Sequence, residues 1–310
     1  LEQNYRSTPI ILEAAYEIIK HNQRRMDKKL WTEVKSGPKI SLYNARNEYD
    51  EGDYIIKDII DNDINYSNVA VLYRTNAQSR AVEDSFLKAG LPYKIIGGVK
   101  FYERKEIKDI LAYLKIINNP SDDLSLKRII NTPSRKIGDK TLLNLEIEAN
   151  KTNKSIINYL LNTNIITSSN NIKSFKKTLQ YLYTQKDELN VTELIQCILD
   201  TTNYIDWITQ RFENSEERIE NIRELLTVAI QFNGLIPNQS LSEFLDHVGL
   251  IEQEQISDQK NGNDSSITLM TLHSVKGLEF NNIYIIGMEE GIFPHSRSFA
   301  EPLEMEEERR

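Results

Sequence analysis

The sequence is nearly without cysteine: Cys197 stands alone among 310 residues. One thiol excludes an intrachain disulfide framework and leaves too few ligands for a structural zinc site, so a reducing compartment is expected. Glycine (12) and proline (8) are also scarce, which argues for helix-rich structure and against a turn-dense β sandwich. No apolar run approaches the roughly 18–20 residues of a membrane span and no signal-peptide pattern opens the chain, so a cytoplasmic protein with no membrane partner is expected. Also missing are the phosphate loop GxxxxGK followed by Ser or Thr, GxGxxG, HExxH, GxSxG and any paired Cys/His spacing. A self-contained nucleotide hydrolase, metalloprotease or serine hydrolase is therefore poorly supported. Positive charge is in deficit, with 38 Lys and Arg against 46 Asp and Glu for a net −8. Such a chain does not coat nucleic acid by bulk charge, although local contacts stay open.

What is present is organised in three stretches. At about 100–200 residues per domain the length suggests two domains, and 39% hydrophobic residues are enough for a core. The first hundred residues alternate helix and strand signals. Thr8 and Pro9 read as the cap and first position of a helix whose buried face is Ile11, Ala14, Ala15, Ile18 and Ile19. A short strand is expected at Lys39–Asn44, a helix at 48–61, a buried strand at Val69–Tyr73, a helix at Ala77–Ala89 and a strand at Tyr93–Ile96. From about Tyr102 to Ser265 helical periods dominate, carried by Ile107, Ile110, Leu111, Leu114 and Ile117, then by Leu142, Leu145 and Ile147, and later by Ile195, Ile198, Leu199, Ile222 and Leu225. Asn150–Ser174 reads as a loop and Gln253–Ser266 as a polar linker. Buried strands at Ile267–Leu272 and Ile283–Ile286 then resume the α/β pattern. A C-terminal piece of about 45 residues is too small to stand alone, so insertion of the helical block into one α/β domain is favoured. The boundaries are 1–104 with 266–310 for the α/β domain and 105–265 for the insert. The chain opens at Leu1 inside a motif-like run and closes on Glu306-Glu307-Glu308-Arg309-Arg310, so it reads as a piece of a longer protein.

Two segments carry chemistry. Asn4-Tyr5-Arg6-Ser7 sets an aromatic ring beside a guanidinium just before a helix, able to stack on a base and to meet a phosphoryl charge. Local grounds alone favour a plain surface Tyr-Arg pair with a capping Ser. Thr271–Phe280 lies between two strands, where open α/β sheets bind ligands beyond their strand ends. In it Gly277 permits close backbone approach and Glu279 can accept from a ribose hydroxyl, while a tight connection with solvated Lys276 and Glu279 is the plainer alternative.

Together with their order, Leu1–Ser7 (LEQNYRS), Val71–Arg80 (VLYRTNAQSR), Leu269–Phe280 (LMTLHSVKGLEF), Gly287–His295 (GMEEGIFPH) and the closing EEERR resemble the C-terminal motor motifs of UvrD/Rep/PcrA-type superfamily 1 DNA helicases. The resemblance covers essentially the whole chain. It implies a partial RecA-like, P-loop-NTPase-type parallel-sheet domain, α/β in class, interrupted by a mainly helical accessory domain. It further implies that Tyr5 stacks on the adenine of ATP, that Arg6 reaches the γ-phosphate as a catalytic arginine, and that Gly277 and Glu279 border the nucleotide. Arg74, Asn76, His273 and His295 would line single-stranded DNA without reading its sequence. Segments near Phe101–Arg104 and Asn263–Ile267 would be hinges.

The stretch Asn131–Lys140 reads as a tight hairpin between two helices, inside a window (94–140) with eleven bases and six acids. In the family it resembles a duplex-contacting element whose loop reads Gly-Ile-Gly. Arg135, Lys136, Gly138 and Lys140 would carry that role, with Lys136 standing where the first glycine is usual, while an ordinary αα-hairpin with solvated lysines is the plainer reading. The aromatic residues of the block (Tyr102, Tyr113, Tyr181, Tyr183, Tyr204, Trp207, Phe212) are read as packing. The resulting expectation is part of an ATP-dependent 3′–5′ DNA helicase or translocase of repair or replication. Its partners would be single-stranded DNA, a single-strand/duplex junction, an N-terminal motor lobe and repair or transcription proteins. ATP and Mg2+ would be bound by the complete protein, no metal ligands are expected in this chain, and the chain alone is not expected to hydrolyse ATP. The alternatives are a DNA-binding or protein-docking module without motor activity, or part of a helicase–nuclease subunit.

Overall fold

A computed structural model describes residues 2–25, 28–162, 170–260 and 265–310. In chain order the helices and strands are α1 (Pro9–Ile19), α2 (Glu48–Asp61), β1 (Val69–Tyr73), α3 (Ser79–Lys88), β2 (Tyr93–Ile96), α4 (Lys105–Asn118), α5 (Asp123–Ile129), α6 (Asp139–Lys151), α7 (Ile156–Asn162), α8 (Asn170–Gln185), α9 (Val191–Thr202), α10 (Tyr204–Arg211), α11 (Ser215–Ile230), α12 (Pro237–Lys260), β3 (Ile267–Thr271), β4 (Asn282–Ile285) and α13 (Pro302–Arg309). The chain divides into two compact units, Leu1–Gly98 with Asn263–Arg310, and Val99–Gly262.

The first unit is built on a four-stranded parallel sheet in the order β2-β3-β1-β4. β1 lies inside it, in register with β3 through Val71 and Leu269 and with β4 through Val71 and Tyr284. All five of its residues are buried, which is why its sequence is an uninterrupted apolar run rather than an alternating one. Ala70, Leu72 and Met270 form a core cluster on which Ile96, Leu272, Val275 and Phe280 pack. Since all strands run the same way, the segments that follow β1, β3 and β4 leave from one end of the sheet.

Three expectations change in this unit. β4 is an edge strand: Ile283 and Ile285 are about half exposed, and Ile286 just beyond it is buried. An edge position halves the neighbours available to a strand, so its apolar residues cannot all be covered. Lys39–Asn44 joins no ladder and is irregular, with Leu42 exposed. Helix α1 forms where the Thr8-Pro9 signal puts it, but none of its residues is buried, and Ile11 and Ile18 are exposed. Thr8 occupies the N-cap position without using its side chain as a cap, because the side chain lies against Gly37.

The second unit is helical throughout its described residues. α4 is buried on nearly every side, with Ile107, Ile110, Leu111, Leu114, Ile116 and Ile117 in the core and the acids Glu106 and Asp109 buried as well. Leu194, Ile195 and Ile198 of α9, Ile222 and Leu225 of α11, and Phe244 of α12 add to this core. Of the aromatics read as packing, Tyr102, Tyr113 and Tyr204 are fully buried, and the Tyr183 hydroxyl donates to the Ile116 carbonyl at 2.5 Å; Tyr181 is half exposed. The expected loop at Asn150–Ser174 contains α7, whose Ile156, Ile157 and Leu160 are buried, and its residues 163–169 lie outside the described residues. Its polar composition hid the three apolar contacts that suffice to dock two helical turns. Similarly, α12 continues to Lys260 through the expected linker, of which 261–264 lie outside the described residues, including the start of the second expected hinge. The first expected hinge is a 3-10 turn, Phe101–Glu103, with Phe101 and Tyr102 buried, followed by Arg104, whose Nη1 donates to Asn221 Oδ1 at 2.7 Å. Ile147 on α6 is exposed, whereas Leu145 is buried.

Candidate nucleotide and nucleic-acid site

The segment before α1 is shaped by short-range hydrogen bonding. Asn4 Oδ1 accepts from the backbone N–H of Arg6 (2.9 Å) and of Ser7 (2.8 Å), a turn that the Asx side chain is suited to make. The Asn4 N–H donates to the Trp31 carbonyl at 2.7 Å and the Trp31 N–H to the Glu2 carbonyl at 3.0 Å, so the turn is stapled to a second segment. This arrangement projects Tyr5 into solvent at 80% exposure, with its hydroxyl donating to Gln3 Oε1 at 2.7 Å. Arg6 reaches across the unit: its Nε donates to Glu279 Oε2 at 3.0 Å.

Glu279 is positioned by the loop after β3. Leu272, Val275 and Phe280 of that loop pack on the sheet core, which leaves His273, Lys276, Gly277, Leu278 and Glu279 exposed between them. Gly277 has φ of +90°, a conformation that side chains with a Cβ rarely adopt. Thr271 Oγ1 and Ser274 Oγ are 2.9 Å apart and hold the first turn of the loop. The Arg6–Glu279 pair is open to water, with side-chain exposures of 56% and 72%. An ion pair so exposed contributes little to stability and exchanges its partners readily.

The segment after β1 carries Arg74 and Asn76. Gln78 Oε1 accepts from the backbone N–H groups of both Arg74 and Thr75 at 2.9 Å, which closes the turn that displays them. Gly287, with φ of +62°, lets the loop after β4 approach the Gln78 amide so closely that a Cβ there would collide with it. Arg74 is not presented as an open cation. Glu308 of α13 takes its Nη2 at 2.6 Å and its Nε at 3.1–3.2 Å, and the same carboxylate accepts the His295 backbone N–H at 3.3 Å. The Arg74 hydrogen bond is the main reason the Glu308 carboxyl titrates below the usual glutamate range. Asn76, His273 and His295 thus lie on the same set of strand-following segments, and Arg6 joins them through Glu279. Neither Gln78 nor Glu308 was singled out from sequence; both are common polar types whose partners are far away or in the main chain.

The hairpin between α5 and α6 is built differently. Asn131 Oδ1 accepts from the N–H of Arg135 (2.7 Å) and of Ile137 (3.3 Å), and Ile137 is buried. Arg135 turns inward: Nη1 donates to the carbonyls of Ile129 (2.9 Å) and Pro133 (3.1 Å), Nη2 to the Tyr113 hydroxyl (2.6 Å), and the guanidinium lies over the Phe175 ring. Lys136, Gly138 and Lys140 are exposed. Lys136 has φ of +56°, so it keeps the left-handed conformation for which a glycine is suited. Gly138, by contrast, has φ of −85° as the N-cap of α6, which any residue can adopt. The local excess of positive charge is also reduced in space, because Lys115 pairs with Glu252 and Lys127 with Glu146, acids outside the basic window.

Among the described residues no group of three or more His, Cys, Asp or Glu side chains converges as a metal site, and no helix is long and apolar enough to cross a membrane.

A family model for the UvrD-like helicase C-terminal domain matches residues 1–310. Over its full length the chain is 44% identical to the ATP-dependent DNA helicase PcrA of Bacillus subtilis strain 168. It is 42% identical to the helicase of the same name in Staphylococcus epidermidis RP62A and 41% to that of Staphylococcus aureus Mu50. In each case it spans 44% of the relative's length, so these proteins are more than twice as long. With the whole chain matched, and with the parallel sheet and strand-following loops that the motifs required, the protein belongs to the UvrD-like helicase C-terminal domain family.

Proposed function

We propose that this chain is the C-terminal motor portion of an ATP-dependent 3′–5′ DNA helicase or translocase acting in repair or replication in the bacterial cytoplasm. The observation that carries the reading is the meeting of Arg6 and Glu279, from opposite ends of the chain, beside an exposed Tyr5. In this reading Tyr5 stacks on adenine, Arg6 exchanges Glu279 for the γ-phosphate, and Glu279, released, accepts from the ribose, with Gly277 leaving room for the nucleotide. Arg74, Asn76, His273 and His295 track the backbone of single-stranded DNA. The unit corresponding to residues 105–265 is an accessory insert, whose Lys136, Gly138 and Lys140 meet duplex at a junction, with Arg135 holding the hairpin from inside. Mg2+ accompanying ATP, like the phosphate-cradling loop, is assigned to the N-terminal motor lobe of the longer protein rather than to this chain.

The test is a pair of substitutions in the full-length protein. Arg6→Ala should lower kcat of DNA-stimulated ATP hydrolysis by about 10^3-fold with little change in KM, as loss of a transition-state arginine does. Tyr5→Ala should raise KM by roughly tenfold, the scale of one lost stacking contact, with kcat nearly kept. Equal effects of both substitutions on both parameters would remove the division of labour.

A further inference from the structure

One carboxylate joins the two segments that carry expected strand-lining residues. Glu308 is almost covered, at 10% side-chain exposure, and accepts both from the Arg74 guanidinium and from the His295 main chain. The helix that presents it is itself fastened by Glu306: the Asn22 amide donates to the Glu306 carbonyl at 2.8 Å, and the Gln23 N–H donates to its carboxylate at 2.8 Å. Because Gln78 fixes the Arg74 main chain from the other side, the residue is held at both its backbone and its guanidinium. We propose that Glu308 is a positioning residue for single-stranded DNA, fixing Arg74 and His295 in one register without touching the strand.

This rests on the reading that these residues track DNA, and its interest lies in the sign of the effect. Charge alone makes Glu308 unfavourable, since an anion beside an arginine weakens the pull on phosphate. Deleting it would then tighten binding. Positioning makes the opposite demand: an arginine that wanders through its rotamers must be ordered again at each binding event.

The experiment titrates a fluorescein-labelled oligothymidylate with the full chain and follows anisotropy. Glu308→Ala should bind about tenfold more weakly, the equivalent of one charge-assisted hydrogen bond. Glu308→Gln, which keeps the shape and one acceptor oxygen, should fall between the two and serves if the alanine variant does not fold. Adding Glu308→Ala to Arg74→Ala should weaken binding by less than Glu308→Ala weakens the unaltered chain, because only the His295 contact is then left to lose. Hydrogen–deuterium exchange gives a readout independent of DNA: the peptide containing His295 should exchange faster in Glu308→Gln than in the unaltered chain. Binding by Glu308→Gln as tight as or tighter than that of the unaltered chain, or unchanged exchange at His295, would overturn the proposal. If the unaltered chain fails to bind oligothymidylate while the exchange result holds, the DNA reading falls, and the positioning role toward DNA falls with it.

Discussion

The candidate nucleotide pair of the α/β unit and the α4 carboxylates of the helical unit treat their charged partners in opposite ways. In the α/β unit the pair that links Arg6 to Glu279 stands in water, more than half exposed on both sides. In the helical unit Asp109 is 1% exposed and is saturated by Lys105 Nζ (2.5 Å), Arg128 Nε (2.7 Å) and the Tyr204 hydroxyl (2.8 Å). Glu106, also buried, takes Arg218 and Asn221 at 2.6 Å each. An exposed pair costs little to break and can trade partners with a ligand, whereas a buried one locks helices together. These two sites therefore separate presentation from scaffolding, although the α/β unit also buries charge in its Arg80–Asp84 pair, and the difference can be tested directly.

The largest effect is expected where the scaffold is cut. Asp109→Ala leaves two cations and a hydroxyl facing a buried vacancy and should cost about 3–5 kcal/mol of stability, read from urea unfolding. A loss below about 1 kcal/mol would erase the distinction between the two sites. Next comes a buried acid in the α/β unit. Burial lifts the Asp84 carboxyl to about 6, against the opposing pull of Arg80, from an ordinary value of 3.8. The folded state thus holds this proton more tightly than the unfolded one. Its contribution is fully present below the ordinary value and is lost as pH rises through about 6. Acidification from pH 7 to pH 5 should stabilise the chain by roughly 1–1.5 kcal/mol through this group. Asp84→Asn should remove that increment from the urea midpoints, and an identical pH response in both proteins would assign it elsewhere.

A smaller effect probes the hairpin. Lys136→Gly should raise stability by about 0.5–1 kcal/mol by relieving a left-handed side-chain residue, yet lower the salt slope of junction-DNA binding by about one. Lys136→Glu should weaken duplex binding without the gain in stability. Calorimetry and salt titration of both variants separate backbone strain from charge. The smallest effect belongs to the exposed pair: Glu279→Ala should change stability by less than about 0.5 kcal/mol in thermal melts. A larger loss would mean that the candidate nucleotide site is structural after all.

Periodicity was informative where a neighbouring element covers the apolar residues. The helix expected at 48–61 is α2 at Glu48–Asp61, and the strand at Val69–Tyr73 is β1 with the same bounds, because β1 lies inside the sheet and α2 packs one apolar face (Ile55, Ile59) inward. It failed where neighbours decide. Ile40 and Leu42 have strand-like residues around them but no strand beside them, and the apolar face of α1 is not covered. At the hairpin, composition placed Arg135 with the exposed lysines, while Tyr113 and the carbonyls of Ile129 and Pro133 draw it inside. Its charge could be read from the chain; its direction could not.

By itself the sequence determined the class of the fold, the order of its elements and the family, since these depend on local propensity, apolar period and motif order. The tertiary structure alone decided which charges are available. Arg6 met Glu279 in the open, Arg74 was given to Glu308, and Arg128 and Tyr204 converged on Asp109. Each of those outcomes depends on distance between residues far apart in the chain and on access to water, and neither quantity is written in composition or spacing.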